Sequence, residues 1–216
     1  NRDFHQDILN LSEQLPADAN DADRIRTRRV YELPFRLQGD QQRALIVGAG
    51  TGNDVAAALR AGFEEVYSVE IDPEIIRAGQ ELHPEQPYSN PGVVPVVNDA
   101  RAFFEQNPDE RFDVVAYGLL DSHAMFSAMS SLRLDNYVYT VEGIQAGWEH
   151  VSESGILSVS FSVFAGQWIA ERLIAAIQEA TGRDPIIVSH GLHHGMSFLV
   201  GRELTPEQIP PDLGTV

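Results

Sequence analysis

The chain has 216 residues, 43% of them hydrophobic, and a formal net charge of −17, which suits one ordinary domain with a sizeable core. It contains no cysteine, which excludes disulfides, thiolate nucleophiles and zinc sites built on sulfur. It also contains no lysine, which excludes a Walker loop and Schiff-base chemistry. The acidic charge predicts no nucleic-acid binding, because it would repel phosphate backbones and attract cations.

No apolar run approaches the length that crosses a bilayer, and residues 1–20 lack the pattern of a signal peptide. We therefore expect a cytoplasmic segment that makes no membrane contact of its own. The sequence begins with Asn1 and not with methionine, which leaves open that it was cut from a longer, membrane-anchored parent.

Short apolar runs and amphipathic stretches alternate from residue 43 onwards. The apolar runs predict strands at 43–48, 65–72, 93–97, 112–120 and 155–163. The amphipathic stretches predict helices at 54–62, 73–83, 100–106, 139–151 and 168–182. This alternation predicts an α/β fold, with a doubly wound, Rossmann-like and mostly parallel sheet that binds ligands at the carboxyl ends of its strands. Two final runs, 185–189 and 196–201, predict closing strands that are antiparallel at one edge.

Three segments are predicted along the chain. Residues 1–37 form an N-terminal arm, in which the apolar alternation of 31–37 makes a candidate strand. Residues 38–205 form the α/β domain. The proline-rich residues 206–216 form a tail that we expect to be loosely held.

The first predicted strand runs into the glycine-rich sequence LIVGAGTGND. A glycine turn between a strand and a helix lets a ligand approach the backbone, and the helix N-terminus then offers unpaired N–H groups. A dinucleotide site would need its third glycine at position 53; the glycines instead have the spacing typical of proteins that bind S-adenosylmethionine or its relatives. A merely tight turn is the alternative. The candidate ligand contacts here are Gly48, Gly50, Gly52, Asn53 and Asp54.

Acidic residues follow the next two strands. Glu70 lies 18 positions after Gly52, where a carboxylate can accept hydrogen bonds from both ribose hydroxyls of a nucleoside. Asp99 follows the third strand, where an adenine amino group would need an acceptor. Each acid alone is better explained as a solvated loop residue, but three strand ends in register predict an adenosyl site. Its further candidate residues are Ile71, Asn98 and Ala100.

Five longer motifs follow one another along the chain: LIVGAGTGNDV, VYSVEIDPEII, NPGVVPVVNDARAF, FDVVAYGLLDSH and NYVYTVEGI. In order and spacing they resemble the spermidine synthase (polyamine aminopropyltransferase) family, especially its divergent bacterial members that are fused behind membrane segments. The N-terminal DFHQDILNL is similar to a relaxed form of that family's Tyr-His-Glu stretch. The resemblance covers residues 3–165 and implies a sheet of the class I methyltransferase type.

The resemblance implies aminopropyl transfer from decarboxylated S-adenosylmethionine to a small amine or polyamine, with methylthioadenosine as the other product; it leaves a homodimer open. Such chemistry needs a carboxylate that orients the amine and removes its proton. The family's catalytic aspartate aligns with Gly118, and the aspartate that pairs with the cofactor amine aligns with Thr51. Both acids are therefore missing from their usual places, and we expect a weak or altered activity that Gly118→Asp would raise.

Other residues could supply the missing carboxylate. The resemblance implies Asp121 as the polyamine-binding aspartate, and we expect it to act as the base as well, in an acidic acceptor pocket where Gly118 leaves room. Tyr139 is a second catalytic candidate, and Asp54 could face the same cavity. Asp121 could instead be a capping or turn residue, and Tyr139 a core residue with a satisfied hydroxyl. The substrate-binding candidates are His5, Gln6, Asp121, His123 and Glu142, and Gly118 joins the cofactor-binding candidates.

Residues 121–137 make a long polar connection at the predicted ligand edge of the sheet. Long connections of this kind are usually lids or binding loops, so we expect a lid over the donor; a surface excursion is the alternative. Histidines at 190, 193 and 194 could suggest a metal site, but a turn between edge strands would present them to solvent without one. No metal is expected.

Two other functions stay open. A methyltransferase that uses ordinary S-adenosylmethionine would not miss the acid replaced by Thr51, because its cofactor keeps its own carboxylate. A non-catalytic nucleoside-binding domain of a membrane protein is the other alternative.

Overall fold

The computed structural model describes residues 7–12, 21–37, 39, 42–118, 138–163, 166–190 and 195–213. The strands in these ranges are β1 Arg43–Val47, β2 Glu65–Glu70, β3 Val93–Val97, β4 Phe112–Tyr117, β5 Val151–Ser162, β6 Ile186–Ser189 and β7 Gly195–Gly201. They form one sheet in the order β3-β2-β1-β4-β5-β7-β6. Strands β1 to β5 pair in parallel, whereas β7 runs antiparallel to both β5 and β6. The predicted doubly wound sheet with an antiparallel edge is confirmed.

The helices are α1 Asp21–Arg36, α2 Asn53–Ala61, α3 Pro73–Leu82, α4 Ala100–Gln106, α5 Val141–Glu149 and α6 Trp168–Thr181. Helices α1 and α2 pack on one face of the sheet, where Phe35 and Val55 meet Ile46 of the central strand. Helices α4 to α6 cover the other face, where Phe103 and Ile144 belong to the second apolar cluster. The sheet is therefore buried on both sides, which explains why its central strands are apolar throughout.

Local signals set the helix ends as predicted. Gly62 ends α2 with a φ of 100°, a left-handed conformation that glycine adopts without strain. Asp72 caps α3 by accepting a hydrogen bond from the Glu74 N–H, and Pro73 stands in its first turn. The predicted helix at 139–151 is shorter as α5, because β5 already begins at Val151.

The candidate strand at 31–37 is wrong, because residues 31–36 are the last part of α1. Buried Glu32 accepts hydrogen bonds from Arg28 and Arg36, each four positions away, at 2.8 and 2.7 Å, a spacing that brings side chains together only on a helix. Arg60 of α2 reaches the same carboxylate at 2.6 Å. The shared carboxylate fixes α1 against α2.

The expectation of a loosely held tail is wrong for residues 206–213. Two short 3-10 turns, Pro206–Gln208 and Pro211–Leu213, follow the last strand. Ile209 and Leu213 are 5% and 4% exposed and pack with Leu33 of α1 in a third apolar cluster. Burial of these two side chains attaches the end of the described chain to the fold.

The helices that the structure describes are all too short or too polar to span a bilayer.

Candidate functional site

The turn after β1 holds three glycines in backbone conformations that other residues rarely adopt. Gly48, Gly50 and Gly52 have φ angles of 67°, 56° and 104°, all in the left-handed region that favours glycine. The N–H groups of Gly48 and Ala49 donate to the Val69 carbonyl at 2.9 and 3.1 Å. The turn therefore curls against the carboxyl end of β2, and α2 begins at the same edge of the sheet.

The carboxylate of Glu70, the last residue of β2, is fixed against this turn. Glu70 is 7% exposed; its Oε2 accepts a hydrogen bond from the Gly50 N–H at 3.0 Å, and its Oε1 accepts one from the Asp72 N–H at 3.1 Å. Each carboxylate oxygen keeps a second lone pair for a ligand hydroxyl. Ile71 follows Glu70 in the chain, and Val97 of β3 lies opposite Glu70 in the strand pairing. The side chains of Ile71 and Val97 are both about half exposed. A glycine turn, a fixed carboxylate and an apolar surface thus meet at one edge.

Tyr88 holds the turn as well, although no sequence motif indicated it. Its hydroxyl donates to the Gly50 carbonyl at 2.7 Å, and a Cβ at Gly52 would lie 3.0 Å from its ring. Burial, and then the nearby carboxylates of Glu70 and Asp54, raise the pKa of Tyr88, so the hydroxyl remains a donor at neutral pH. Tyr88 and Glu70 therefore hold Gly50 through its carbonyl and its N–H respectively.

We expect Tyr88→Phe to lower the free energy of unfolding by about 1 kcal/mol, because the Gly50 carbonyl loses its donor while the aromatic ring is kept. Binding of an adenosyl ligand such as methylthioadenosine should weaken with it, since the turn is held less firmly. Denaturant unfolding and calorimetric titration measure the two effects. Ser89→Ala removes the neighbouring exposed hydroxyl and is the control; equal stability of both variants would argue against this role for Tyr88.

The residues predicted near an adenine, Asn98, Asp99 and Ala100, follow β3 at the same edge. The Asn98 N–H donates to the Glu70 carbonyl at 3.1 Å, which ties the ends of β2 and β3 together. Asp99 caps α4, because its Oδ1 accepts from two backbone N–H groups of the first turn at 2.9 and 3.2 Å. A contact between Asp99 and an adenine stays a prediction, and Oδ2 is the carboxylate oxygen that would make it.

The side chain of Asn53, a predicted ligand contact, holds the N-terminal segment of residues 7–12 instead. It is 2% exposed; its Nδ2 donates to the Asp7 carbonyl at 2.7 Å, and its Oδ1 accepts from the Leu9 N–H at 3.0 Å. The buried ring of His83 lies 3.2 Å from the same Oδ1. The backbone N–H of Asn53 is therefore the part of this residue that can meet a ligand.

Four candidate residues lie outside the described residues: His5, Gln6, Asp121 and His123. The predicted lid at 121–137 also lies outside them. The described residues next to these gaps lie near the glycine turn. The Asp7 carbonyl accepts a hydrogen bond from Asn53, and Gly118 directly follows β4. The substrate and catalytic roles of these four residues stay predictions.

The side chain of Asp54 lies beside Gly118, while the predicted acceptor pocket beside Asp121 lies outside the described residues. A Cβ at position 118 would lie 2.9 Å from Asp54 Oδ2 and 3.6 Å from its Cγ. Burial raises the pKa of Asp54 to about 6. The structure thus brings a cofactor-binding candidate at the start of α2 into contact with the position of the missing family aspartate.

Tyr139 lies at the same place but points its hydroxyl at the backbone. The hydroxyl donates to the Gly118 carbonyl at 3.0 Å and approaches the Ser160 carbonyl at 3.4 Å, and its ring packs edge-on against Phe161. This geometry matches the alternative reading of a packed residue with a satisfied hydroxyl. Tyr139 therefore positions the end of β4, and a direct catalytic contact stays a prediction.

Glu142 is exposed in the first turn of α5. Its own backbone N–H and then the Thr140 hydroxyl hold the pKa of Glu142 below its usual value. The Glu142 carboxylate thus stabilises the first turn of α5, and its contact with a substrate stays a prediction.

The expectation that the histidines of 189–195 face solvent is wrong for His190, which is 3% exposed. Its Nε2 lies 2.8 Å from the Ser197 hydroxyl, and its N–H donates to the Gly195 carbonyl at 2.9 Å. Burial, and then Arg26, lower the pKa of His190 to about 4, so the ring is neutral. His193 and His194 lie outside the described residues, and within those residues no three histidine or carboxylate side chains are grouped to hold a metal ion.

The fold of the chain matches that of known proteins. Residues 45–129, which begin in β1 and include the glycine turn, match the family described as the methyltransferase domain. The chain also shares its fold with a spermidine synthase crystallised with the transition-state analogue AdoDATO, with a TM-score of 0.71 and 16% identity. That match covers 86% of this chain and 64% of the synthase chain. The predicted α/β fold of the class I methyltransferase type is confirmed.

In sequence, the chain is similar to two polyamine aminopropyltransferases. It is 32% identical over 87 residues to the enzyme of Hamiltonella defensa subsp. Acyrthosiphon pisum (strain 5AT), which covers 38% of this chain and 30% of that protein. It is 24% identical over 178 residues to the enzyme of Korarchaeum cryptofilum (strain OPF8), covering 80% and 51% respectively. The chain thus spans at most about half of these relatives, and the predicted resemblance to the spermidine synthase family is confirmed at low identity.

Proposed function

We propose that the chain binds an S-adenosyl sulfonium donor at the carboxyl ends of β1 and β2 and transfers a group from it to a small acceptor. The observation that carries the proposal is the Glu70 carboxylate, which is oriented by the N–H groups of Gly50 and Asp72. A carboxylate at the end of the second strand of such a sheet accepts hydrogen bonds from ribose hydroxyls. Orientation before the ligand arrives lowers the ordering cost of binding.

The rest of the nucleoside has suitable neighbours along the same edge. The glycine turn allows the ligand to approach the backbone closely, because no Cβ stands at three of its positions. Ile71 offers an exposed apolar surface to the adenine ring, and Asn98 and Asp99 offer polar groups at its rim. In this proposal Ala100 and the backbone of Asn53 complete the contacts to the donor.

For the transferred group we propose an aminopropyl group, which leaves methylthioadenosine and is accepted by a small amine or polyamine. Similarity to two polyamine aminopropyltransferases supports this choice, and a net charge of −17 favours a polycationic acceptor. The residues proposed to contact this acceptor are His5, Gln6, Asp121, His123 and Glu142.

Methyl transfer from ordinary S-adenosylmethionine is the second candidate, and Thr51 favours it. Thr51 lies in the glycine turn, is 8% exposed and carries no charge to pair with the terminal ammonium of a decarboxylated donor. The match to the methyltransferase domain fits the same reaction. The two donors differ by one carboxylate, so their relative affinities separate the two candidates.

Calorimetric titration of the chain with decarboxylated and with ordinary S-adenosylmethionine tests the proposal. We expect tighter binding of the decarboxylated donor, and release of methylthioadenosine when putrescine is added. Tighter binding of the ordinary donor with methyl transfer to an acceptor would support the second candidate. Binding of neither donor, nor of methylthioadenosine, would rule out both.

A further inference from the structure

Asp54 and Gly118 share one small volume at the edge of the sheet. The Asp54 carboxylate reaches to within 2.9 Å of the point where a residue at 118 would carry its Cβ. The Gly48 carbonyl, in the first residue of the glycine turn, is 3.7 Å from the same point. The Asp54 carboxylate of α2 therefore lies where the side chain of an acid at position 118, just after β4, would begin.

Asp54 lines a small cavity between α1, α2 and the sheet. The cavity has a volume of about 20 Å³ and is also lined by Tyr31 and Pro34 of α1 and Ser160 of β5, and this volume holds one water-sized group. An ammonium head group is of similar size. No lysine or arginine lines the cavity among the described residues, although the charge of Arg60 acts on Asp54 from further along α2.

The groups around Asp54 leave it as the proton acceptor. Tyr31 and Tyr88 are the phenols nearby, and burial raises the pKa of both, so both stay neutral. His190 lines the same cavity and is neutral because burial lowers its pKa to about 4. Arg60, further along α2, is already bound by Glu32 and Glu85. Among the described residues, no side chain donates a hydrogen bond to the Asp54 carboxylate.

We propose that the Asp54 carboxylate contacts the reacting amine of the acceptor and takes its proton, in place of the acid that is absent at Gly118. This inference rests on the proposed aminopropyl transfer. Asp54 accepts one proton from the substrate ammonium, and the freed nitrogen lone pair forms a bond to the carbon attached to the sulfonium. The carbon–sulfur bond breaks with its electrons moving to sulfur, which gives methylthioadenosine and a secondary ammonium. Asp54 then returns its proton to solvent.

One consequence reverses the earlier expectation for Gly118→Asp. A Cβ at 118 would lie 2.9 Å from Asp54 Oδ2, so the Asp54 side chain would have to move and two carboxylates would stand together. We expect this variant alone to lose activity. We expect an acid at 118 to work better once Asp54 is removed. Asp54→Ala combined with Gly118→Asp transfers the carboxylate from α2 to β4 and tests the shared role directly.

The first measurement is calorimetric titration of putrescine into the chain saturated with methylthioadenosine. We expect Asp54→Asn, which keeps the shape and removes the charge, to bind putrescine at least about tenfold more weakly. Methylthioadenosine is titrated into the same variant, and we expect the loss of putrescine affinity to exceed any loss of methylthioadenosine affinity. Glu74→Gln is the matched control, because Glu74 is the second residue of α3 as Asp54 is of α2, and it is exposed. Equal putrescine affinity in Asp54→Asn and wild type would overturn the proposal.

The second measurement is turnover with decarboxylated donor and putrescine. We expect kcat to fall roughly 10²–10⁴-fold in Asp54→Asn, with the acid limb of the wild-type pH profile lying near the raised pKa of Asp54, about 6. The Asp54→Ala/Gly118→Asp variant should recover at least about tenfold over Asp54→Ala. A double variant no faster than Asp54→Ala, in a chain whose wild type turns over, would overturn the shared role. A wild type without turnover would defeat the proposed aminopropyl transfer, and the putrescine titration would still decide the contact with Asp54.

Discussion

Glu70→Ala is expected to weaken the binding of methylthioadenosine by roughly 5- to 150-fold, which corresponds to roughly 1–3 kcal/mol for a lost charged hydrogen-bond partner. The carboxylate would no longer accept from the ribose hydroxyls, and the Gly50 N–H would lose its acceptor at the same time. Both effects act on the same edge of the sheet. Calorimetric titration gives the affinity, and denaturant unfolding separates a local loss from a general one.

Glu70→Gln makes the same prediction sharper. The two carboxylate oxygens each accept a backbone N–H, one from Gly50 and one from Asp72, whereas an amide has a single acceptor oxygen. Its NH₂ group would therefore face one of these N–H groups without a bond. We expect the amide variant to bind more weakly than wild type and to be less stable, although its shape is preserved.

Glu65→Ala is the matched control for this strand. Glu65 is the first residue of β2, at the opposite end of the strand from Glu70. Its partly exposed carboxylate forms a salt bridge with Arg43. Its loss should leave the affinity for methylthioadenosine unchanged, because no candidate ligand contact lies there. If Glu70→Ala binds methylthioadenosine as tightly as Glu65→Ala does, Glu70 is not part of the ligand site.

The sequence predicted the sheet well because its strands and helices depend on local signals. The apolar runs are long enough to require burial on both faces, and Gly62 and Pro73 mark helix ends by their own backbone preferences. The glycine spacing and Glu70 were recognisable for the same reason. Only together do these strand ends predict an adenosyl site, and that site stays a prediction.

The errors arose where distant parts of the chain decide the outcome. The alternation of 31–37 resembled a strand, but Glu32 is held by Arg28 and Arg36 at helical spacing and by Arg60 from another helix. The Arg-Glu-Arg spacing of four was visible in the sequence and could have indicated α1. By contrast, no sequence motif indicated the contact of Tyr88 with the glycine turn.

The missing acid of the site shows the same limit. Aligned motifs identify Gly118 as the place where a carboxylate is absent, but they carry no information on which other chain segment fills that volume. Asp54 precedes Gly118 by 64 positions, and their contact exists only because β1 and β4 are neighbours in the sheet. Under our proposal, a carboxylate from α2 takes the place of one at position 118.

Such a carboxylate should cost stability, because burial keeps it away from water. The pKa of Asp54 is raised from 3.8 to about 6, so the folded chain binds this proton more tightly than the unfolded chain does. Below pH 4 both states are protonated and the penalty is absent; it grows between pH 4 and pH 6 and is complete above pH 6. In a chain with a net charge of −17, removing any carboxylate also reduces general charge repulsion. The effect of Asp54→Asn must therefore be compared with the removal of an exposed carboxylate.

Asp54→Asn is therefore expected to raise the free energy of unfolding above pH 6 by on the order of 2–3 kcal/mol, the equivalent of about two pKa units. The gain should shrink as the pH falls through 6 and vanish near pH 4, because wild-type Asp54 is then neutral in both states. Denaturant unfolding of both proteins across this range measures the difference. Glu74→Gln removes an exposed charge from the equivalent turn of α3 and should show little of this pH-dependent gain. An Asp54→Asn variant that is no more stable than Glu74→Gln at pH 8 would contradict a desolvated carboxylate at position 54. An Asp54→Asn variant that is more stable but fails to bind putrescine would show that this acid is kept for function at the expense of stability.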